Sequence, residues 1–346
     1  MPKGPGPQRR ARIVDVARAA GVSAQTVSNV INERGGFTEP TRKRVADAIA
    51  TLGFQPNRYA QSLRSQRTGL VGFDMVSDQL DGTNPFTVSL LGALIRAAEH
   101  HGQRILVFTH GSDQADDFRA TATSGLVDGF VLSDSAVGDP RVGILDEVGA
   151  PYVVFGRTDN DADHTWLDID NRAAMRRPID LLVSQGCTDV AYVSYSGSQH
   201  WTRDRRRGAR EALAAHGLSL PRERVLVGPS LDALRPRLTH LLQGPDRPDA
   251  IVTASDPIGV LTIGIATSLG LRVGHDVAIT GFDAGPLSTM VSPALTSVSI
   301  PVNPIAERLL TLLGDRLEGN ASHVSEVAET ELVVRDSSGF TPKARR

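Results

Sequence analysis

The first fifty-five residues carry a helical hydrophobic rhythm that the rest of the chain does not share. Ile13, Val16, Ala17 and Ala20 recur at i, i+3, i+4 and i+7, which is one face of an α-helix, and Gly21 supplies the stop. Across the tight turn Gly21-Val22, Ser23 is a suitable N-cap for a second helix with Val27, Val30 and Ile31 as its inner positions. A third helix is predicted from Thr38 as its cap to Gly53 as its end. Glu39 suits its positive start, and Val45, Ile49 and Leu52 form its inner stripe. Two short helices joined by a glycine-containing turn predict a helix-turn-helix, whose second helix enters the major groove of DNA. So small a three-helix core fits a DNA-reading head rather than an enzyme.

From Gly69 the pattern changes. Apolar runs at 70–73, 104–108, 129–132, 151–155, 190–193 and 250–253 read as strands, separated by amphipathic stretches such as 90–100, 209–216 and 258–269. Such alternation predicts parallel sheets covered by helices on both faces, with ligands bound beyond the carboxyl ends of the strands. Neither a glycine-rich dinucleotide fingerprint nor a phosphate loop is present, no apolar run is long enough to span a bilayer, and the start has no apolar signal core. The single cysteine, Cys187, excludes an intrachain disulfide and fits a reducing, cytoplasmic setting.

Net charge becomes informative once divided. The 346-residue chain carries −2 overall, but residues 1–68 carry +8 and the remainder −10. A basic head on an acidic body is the electrostatic signature of a module that meets phosphates. The segment 1–10 reads as a flexible basic arm. On the second helix, Ala24, Gln25, Ser28 and Asn29 are read as the solvent face. Gln and Asn can pair with adenine edges and Ala can touch a thymine methyl. Ser23, Thr26 and Asn32 suit phosphate oxygens, although Ser and Thr at a helix start also act as simple caps.

The stretch 13–32 follows the pattern D-V-A-x-x-A-G-V-S-x-x-T-V-S-x-x-x-N and resembles the head of the lactose-repressor (LacI/GalR) family. Asn29 stands where many relatives have Arg or His, which bears on the operator sequence and not on docking. After Gly53-Phe54, residues 55–65 resemble the family's hinge. Pro56 stops the preceding helix and Asn57 can cap a new one of about two turns, too short to persist alone in water. The resemblance implies that two such helices, one per subunit, fold together in the minor groove with Leu63 as an apolar wedge between base steps. Ala60 would allow their close approach, and Arg58 and Arg64 would reach phosphates, with Tyr59 in the same DNA-contacting segment.

The body resembles the family's effector-binding core through Asn84-Pro85-Phe86, Val127-Asp128-Gly129, Gly156-Arg157, 168–171, Ser255-Asp256, Gly281-Phe282-Asp283, 295–298 and 332–335. The implied fold class is α/β: a three-helix head at 11–55, a hinge at 56–68, and a periplasmic-binding-protein-like core at 69–346. The core comprises two Rossmann-like subdomains, 69–169 with 294–327 and 170–293 with 328–340. The resemblance points to Asn84, Phe86, Ser133, Arg157, Arg205 (of Arg205-x-x-Gly208), Ser255, Asp256 and Asp283 as effector contacts. Carboxylates and guanidiniums suit vicinal hydroxyls, and aromatic faces suit ring surfaces. Trp201 and Trp166 are stacking platforms or packing residues; Arg205 and Asp283 bind ligand or pair with each other. Ser255 and Ala284 depart from common family residues and alter the polar pocket. Pro178 is expected to kink or shorten its helix, and Cys187 replaces a usual His.

These readings converge on a homodimeric repressor that binds palindromic operator DNA under control of a small effector, most simply a sugar, with no cofactor, metal or catalytic residue and no membrane partner. Corepression by a nucleobase or other metabolite uses the same architecture. A non-regulatory sugar-binding protein would not need the head. An enzyme is disfavoured, because there is no nucleophile elbow or metal-ligand cluster and the nine His are scattered apart from His100-His101. Replacing Leu63 with Ala is expected to weaken specific operator binding far more than nonspecific binding in gel-shift titrations. Equal loss of both would contradict the wedge.

Overall fold

The computed structural model describes residues 11–31, 35–54, 67–76, 85–110, 115–160, 163–320 and 322–341, and it divides into a head, Met1–Thr68, and a body, Gly69–Arg346. In the head, α1 (Ile13–Ala20), α2 (Ala24–Ile31) and α3 (Glu39–Leu52) enclose a core of Val16, Ala17, Ala20, Val27, Val45, Ala48 and Phe54. The start of α1 is closed by Asp15, whose carboxylate accepts the Arg12 amide at 2.9 Å, and its end by Gly21 at φ 64°. Left-handed backbone of this kind favours glycine, and Gly53 ends α3 in the same way at φ 56°. Ser23 caps α2 as expected, its hydroxyl accepting the Thr26 amide at 3.0 Å. Two expectations for α3 change. The Thr38 hydroxyl faces that of Thr41 and does not cap the backbone, and Leu52 is exposed while Ala48 takes the inner position.

The first lobe of the body runs through β1 (Leu70–Val76), α4 (Pro85–His100), β2 (Arg104–His110), α5 (Ala115–Thr123), β3 (Gly129–Ser133), α6 (Pro140–Val148), β4 (Tyr152–Phe155) and β5 (Trp166–Ile169). The second continues with α7 (Asn171–Ala174), α8 (Arg176–Ser184), β6 (Val190–Tyr195), α9 (His200–Ala215), β7 (Val225–Gly228), α10 (Leu231–Gln243), β8 (Ala250–Thr253), α11 (Asp256–Ser268), β9 (Ala278–Asp283), α12 (Leu287–Met290) and β10 (Thr296–Ser299). The chain then returns through α13 (Val302–Leu317) and β11 (Ser325–Ala328), and ends with β12 (Glu331–Val333). The first sheet has order β11-β5-β4-β3-β1-β2 with every pair parallel. The second has order β12-β10-β9-β8-β6-β7, parallel except for β12 against β10. Each order reverses once, between β3 and β1 and between β8 and β6, and ligands of doubly wound sheets bind at such points.

Both faces of the sheets are buried, as parallel strands require. In the first sheet Val131, Val153, Phe155 and Leu167 join the core with α4 and α13. The alternate residues Phe130, Leu132, Tyr152, Val154 and Trp166 pack with α5 and α6. All six apolar runs read from the sequence form strands, but β10 was not among them because its core residues are polar. Thr296 and Ser297 are fully buried, and their hydroxyls bond the Arg335 carbonyl and the Asp256 carboxylate. Since β10 pairs with β9, the chain returns to the first lobe between Ser299 and Val302, later than the expected passage at 293. The other two passages follow β5, which ends at Ile169, and lie between Ala328 and Glu331. The helix carrying Pro178 is interrupted at Met175, leaving the separate segments α7 and α8.

Gly208 on α9 lies against the backbone of α7, where a Cβ would stand 2.3 Å from the Arg172 carbonyl oxygen. That contact holds α9 close to the passage between the lobes. Gly208→Ala is therefore expected to destabilise the protein by about 1–3 kcal/mol in chemical denaturation. Gly264→Ala, on the open side of α11, should be neutral or stabilising by up to about 1 kcal/mol.

Candidate functional site

On α2 the side chains sort by helical period. Gln25 is exposed and donates through Nε2 to Asn29 Oδ1 at 3.0 Å, so the two form one outward ridge at i and i+4. Ser23 is exposed, Thr26 is half-buried, and their hydroxyls lie 2.8 Å apart. Ser28 does not lie on this face: it is only 6% exposed, because positions 24, 27, 28 and 31 share the stripe turned toward the head core. Ala24 likewise packs half-buried against that core. The polar ridge of α2 thus reduces to Gln25 and Asn29, flanked by Ser23 and Thr26. Asn32, Arg58, Tyr59, Ala60, Leu63, Arg64 and Asn84 lie outside the described residues.

In the body, a cavity of about 540 Å³ lies between the lobes at the carboxyl ends of the strands. Phe86, Ser133, Arg157, Trp201, Arg205, Ser255 and Asp283 all line it. Arg205 is the central group. Its Nε donates to Asn171 Oδ1 at 2.8 Å, and its Nη1 to the Ala254 carbonyl at 2.7 Å and to Asp283 Oδ1 at 3.4 Å. Its guanidinium stacks 3.5 Å over Phe282 and 4.7 Å over Trp201. Direct contacts also cross the cleft. Trp201 Nε1 donates to Asp134 at 2.6 Å and the Val137 amide to the Ser198 carbonyl at 3.0 Å. Ser133 Oγ and Ser255 Oγ are buried without a hydrogen-bond partner among the described residues, and both line the cavity. A buried hydroxyl in that condition is costly unless a bound molecule satisfies it.

Two of the expected residues are placed elsewhere. Asp256 is fully buried beside the site. It sits in the first turn of α11 and accepts the Gly285 amide at 2.7 Å and the Ser297 hydroxyl at 2.5 Å, so it anchors the 284–285 loop. Trp166 packs in the core beneath Arg157, whose guanidinium lies 3.9 Å over its ring. Conversely, Asp134, Asp139, Arg141, Asp168 and Asn171 line the cavity and were not assigned from sequence. Asp134 follows the end of β3, a position that could have flagged it, and 168–171 belongs to a motif already noted. Arg141 carries no such signal. Asp134, Asp283 and Ala284 adopt positive φ of 55°, 100° and 46°, a strain that clusters at binding sites.

Burial sets the proton chemistry. Asp168 is pushed up to about 7 by desolvation, against the Ile169 amide and Arg157, which favour its charged form. Desolvation likewise raises Asp283, against the attraction of Arg205, and raises Asp134 against the Trp201 hydrogen bond. A raised carboxyl keeps in the folded state a proton that the unfolded chain releases near pH 4, so folding stability declines as pH rises. For Asp168 that decline spans about pH 4 to about 7. Asp168→Asn is expected to flatten the fall of melting temperature across this window. A pH profile identical to that of the parent protein would contradict the assignment.

Residues 12–57 match the model for bacterial regulatory proteins of the lacI family, and 179–338 match a periplasmic binding protein-like domain. Over 337 residues the chain is 32% identical to the HTH-type transcriptional regulator CelR of Thermobifida fusca, covering 95% of this chain and 99% of that protein. A solved transcriptional regulator CelR–cellobiose complex shares 30% identity at TM-score 0.73, covering 95% of this chain and 100% of that one. The lac repressor dimer, solved bound to operator and the anti-inducer ONPF, shares the fold: TM-score 0.82 at 21% identity, covering 96% of this chain and 100% of that one. With a relative at this identity matched almost end to end, and a lacI-type head on a two-lobed α/β body, the chain belongs to the lacI family of bacterial transcriptional regulators.

Proposed function

We propose that the protein is a repressor that binds a palindromic operator as a homodimer and is released by a sugar held between the two lobes. The observation that carries this reading is the cavity, where two unsatisfied serine hydroxyls, the Arg205–Asp283 pair and the faces of Phe86 and Trp201 converge. Hydroxyl-rich rings need both polar partners and apolar surface. The relative solved with cellobiose supports a sugar, and the lac repressor solved with an anti-inducer supports induction as the sign. In the head, Gln25 and Asn29 would read bases while Ser23, Thr26 and Asn32 hold phosphates. The hinge at 56–68, with Leu63 as its wedge, would fold on the bent duplex.

Homodimer formation is supported by the outer face of α4. Val88 and Ile95 lie one heptad apart and are 55% and 46% exposed, beside the edge strand β2 with Val107 at its surface. Apolar residues at this spacing suit the same face of a second copy. An effector can alter operator affinity only as far as its own affinity differs between the two lobe arrangements. The test is a gel-shift titration on palindromes selected from a random pool, with and without neutral sugars. The expected result is sequence-specific binding that at least one sugar weakens by about tenfold or more. Sequence-blind binding that simply fades with salt would contradict the proposal.

A further inference from the structure

Among the described residues three guanidiniums line the cavity, and an aspartate faces each of them. Arg141 is almost fully buried. Its Nε and Nη2 contact Asp139 at 3.0 and 2.7 Å, its Nη1 reaches Asp74 at 3.2 Å, and Nη2 also donates to the Ser133 carbonyl. Arg157 stands 3.5 Å from Asp168, and Arg205 pairs with Asp283. His200, a further basic side chain of the lining, has Asp159 3.3 Å from its Nε2, but the pair lies outside hydrogen-bonding geometry. Asp134 adds a fourth carboxyl group to the wall and accepts the indole N–H of Trp201. Once Asp168 and Asp283 have released the protons that burial helps them keep, each of the three guanidiniums is therefore matched by a carboxylate. What the wall offers an incoming molecule is a set of acceptors, two serine hydroxyls, the His200 Nε2 edge and ring faces.

From this charge matching we infer that the effector is an uncharged polyhydroxy compound and that the cavity rejects its phosphorylated counterpart. The inference rests on the saccharide reading above and sharpens it. A phosphate brought into this cleft would have to displace a buried aspartate from its arginine or stand beside it uncompensated, and both outcomes are unfavourable in a partly dehydrated site. A neutral sugar meets no such conflict. Its hydroxyls donate to carboxylates and share hydrogen bonds with Ser133 and Ser255 while the Arg–Asp pairs stay intact. Phosphate-binding sites normally keep guanidiniums or helix-terminal amides free for the anion, and the cavity-lining arginines here are held by aspartates.

The test is a thermal-shift series on the full-length protein at fixed ionic strength and at a pH above the raised carboxyls of Asp168 and Asp283. The probes are neutral mono- and disaccharides including glucose, cellobiose and maltose, their phosphate esters, and inorganic phosphate. At least one neutral sugar is expected to raise the melting temperature, with its phosphate ester weaker by about 100-fold or more, the scale of an uncompensated buried charge. A phosphate ester that binds as well as or better than its neutral parent would overturn the inference while leaving the saccharide reading standing. If nothing in either set binds, the saccharide reading itself fails, and the inference falls with it. Asp168→Asn gives a second readout, since it removes the carboxylate facing Arg157 while its amide oxygen can still accept from the Ile169 amide. That variant should bind inorganic phosphate about tenfold more tightly than the parent protein; no gain would count against the charge-matching argument. If the variant does not fold, the parent series decides alone.

Discussion

The body is organised around one guanidinium that is almost completely withdrawn from water. Arg205 is 6% exposed, and burying a permanent charge is tolerable only when every side of it is answered. Asn171 answers it from the passage between the lobes, the Ala254 carbonyl from the end of β8, Asp283 from the end of β9, and the rings of Phe282 and Trp201 stack against it. These partners come from separated stretches of the second lobe and the first crossing, so Arg205 ties strand ends into one wall. It can do so because Gly208, one helical turn later, allows α9 to rest on the backbone of α7. Around this anchor the other elements of the cleft are set. Asp283 and Ala284 accept strained backbone, and Asp256 pins the following loop through the Gly285 amide.

Much of this was legible in the sequence, because strand-end positions and the Arg205-x-x-Gly208 and Gly281-Phe282-Asp283 motifs mark themselves. What the sequence hides is where polar residues are buried in structural roles. Asp256 is adjacent to a cavity residue, Ser255, yet one step into a helix turns its carboxylate away from the cleft and toward Ser297. β10 lacks an apolar run because its buried hydroxyls are satisfied by the backbone near Arg335 and by Asp256. In the head, Ser28 is polar but falls on the core stripe of a short helix, where its small side chain packs without large cost. The Asp74–Arg141–Asp139 network joins residues far apart in the chain, and nothing in local spacing announces it.

The same geometry explains how an effector could be read out. Contacts from the loop after β3 reach the start of α9 across the cleft: Trp201 to Asp134 and the Val137 amide to the Ser198 carbonyl. A molecule seated between Phe86 and Trp201 would lie beside these contacts and favour one arrangement of the lobes over another. In the proposed reading, that arrangement governs whether the hinge segments of two subunits can fold side by side on DNA. The requirement is thermodynamic and needs no separate pathway: the ligand's preference for one arrangement is the whole of its leverage.

Linkage makes this coupling directly measurable. Once a sugar effector is found, its dissociation constant should be determined by calorimetry on the free protein and again on the protein saturated with operator. The account predicts that operator weakens sugar binding by the same factor by which the sugar weakens operator binding. An effector affinity unchanged by operator would contradict the claim that the cleft and the head are coupled.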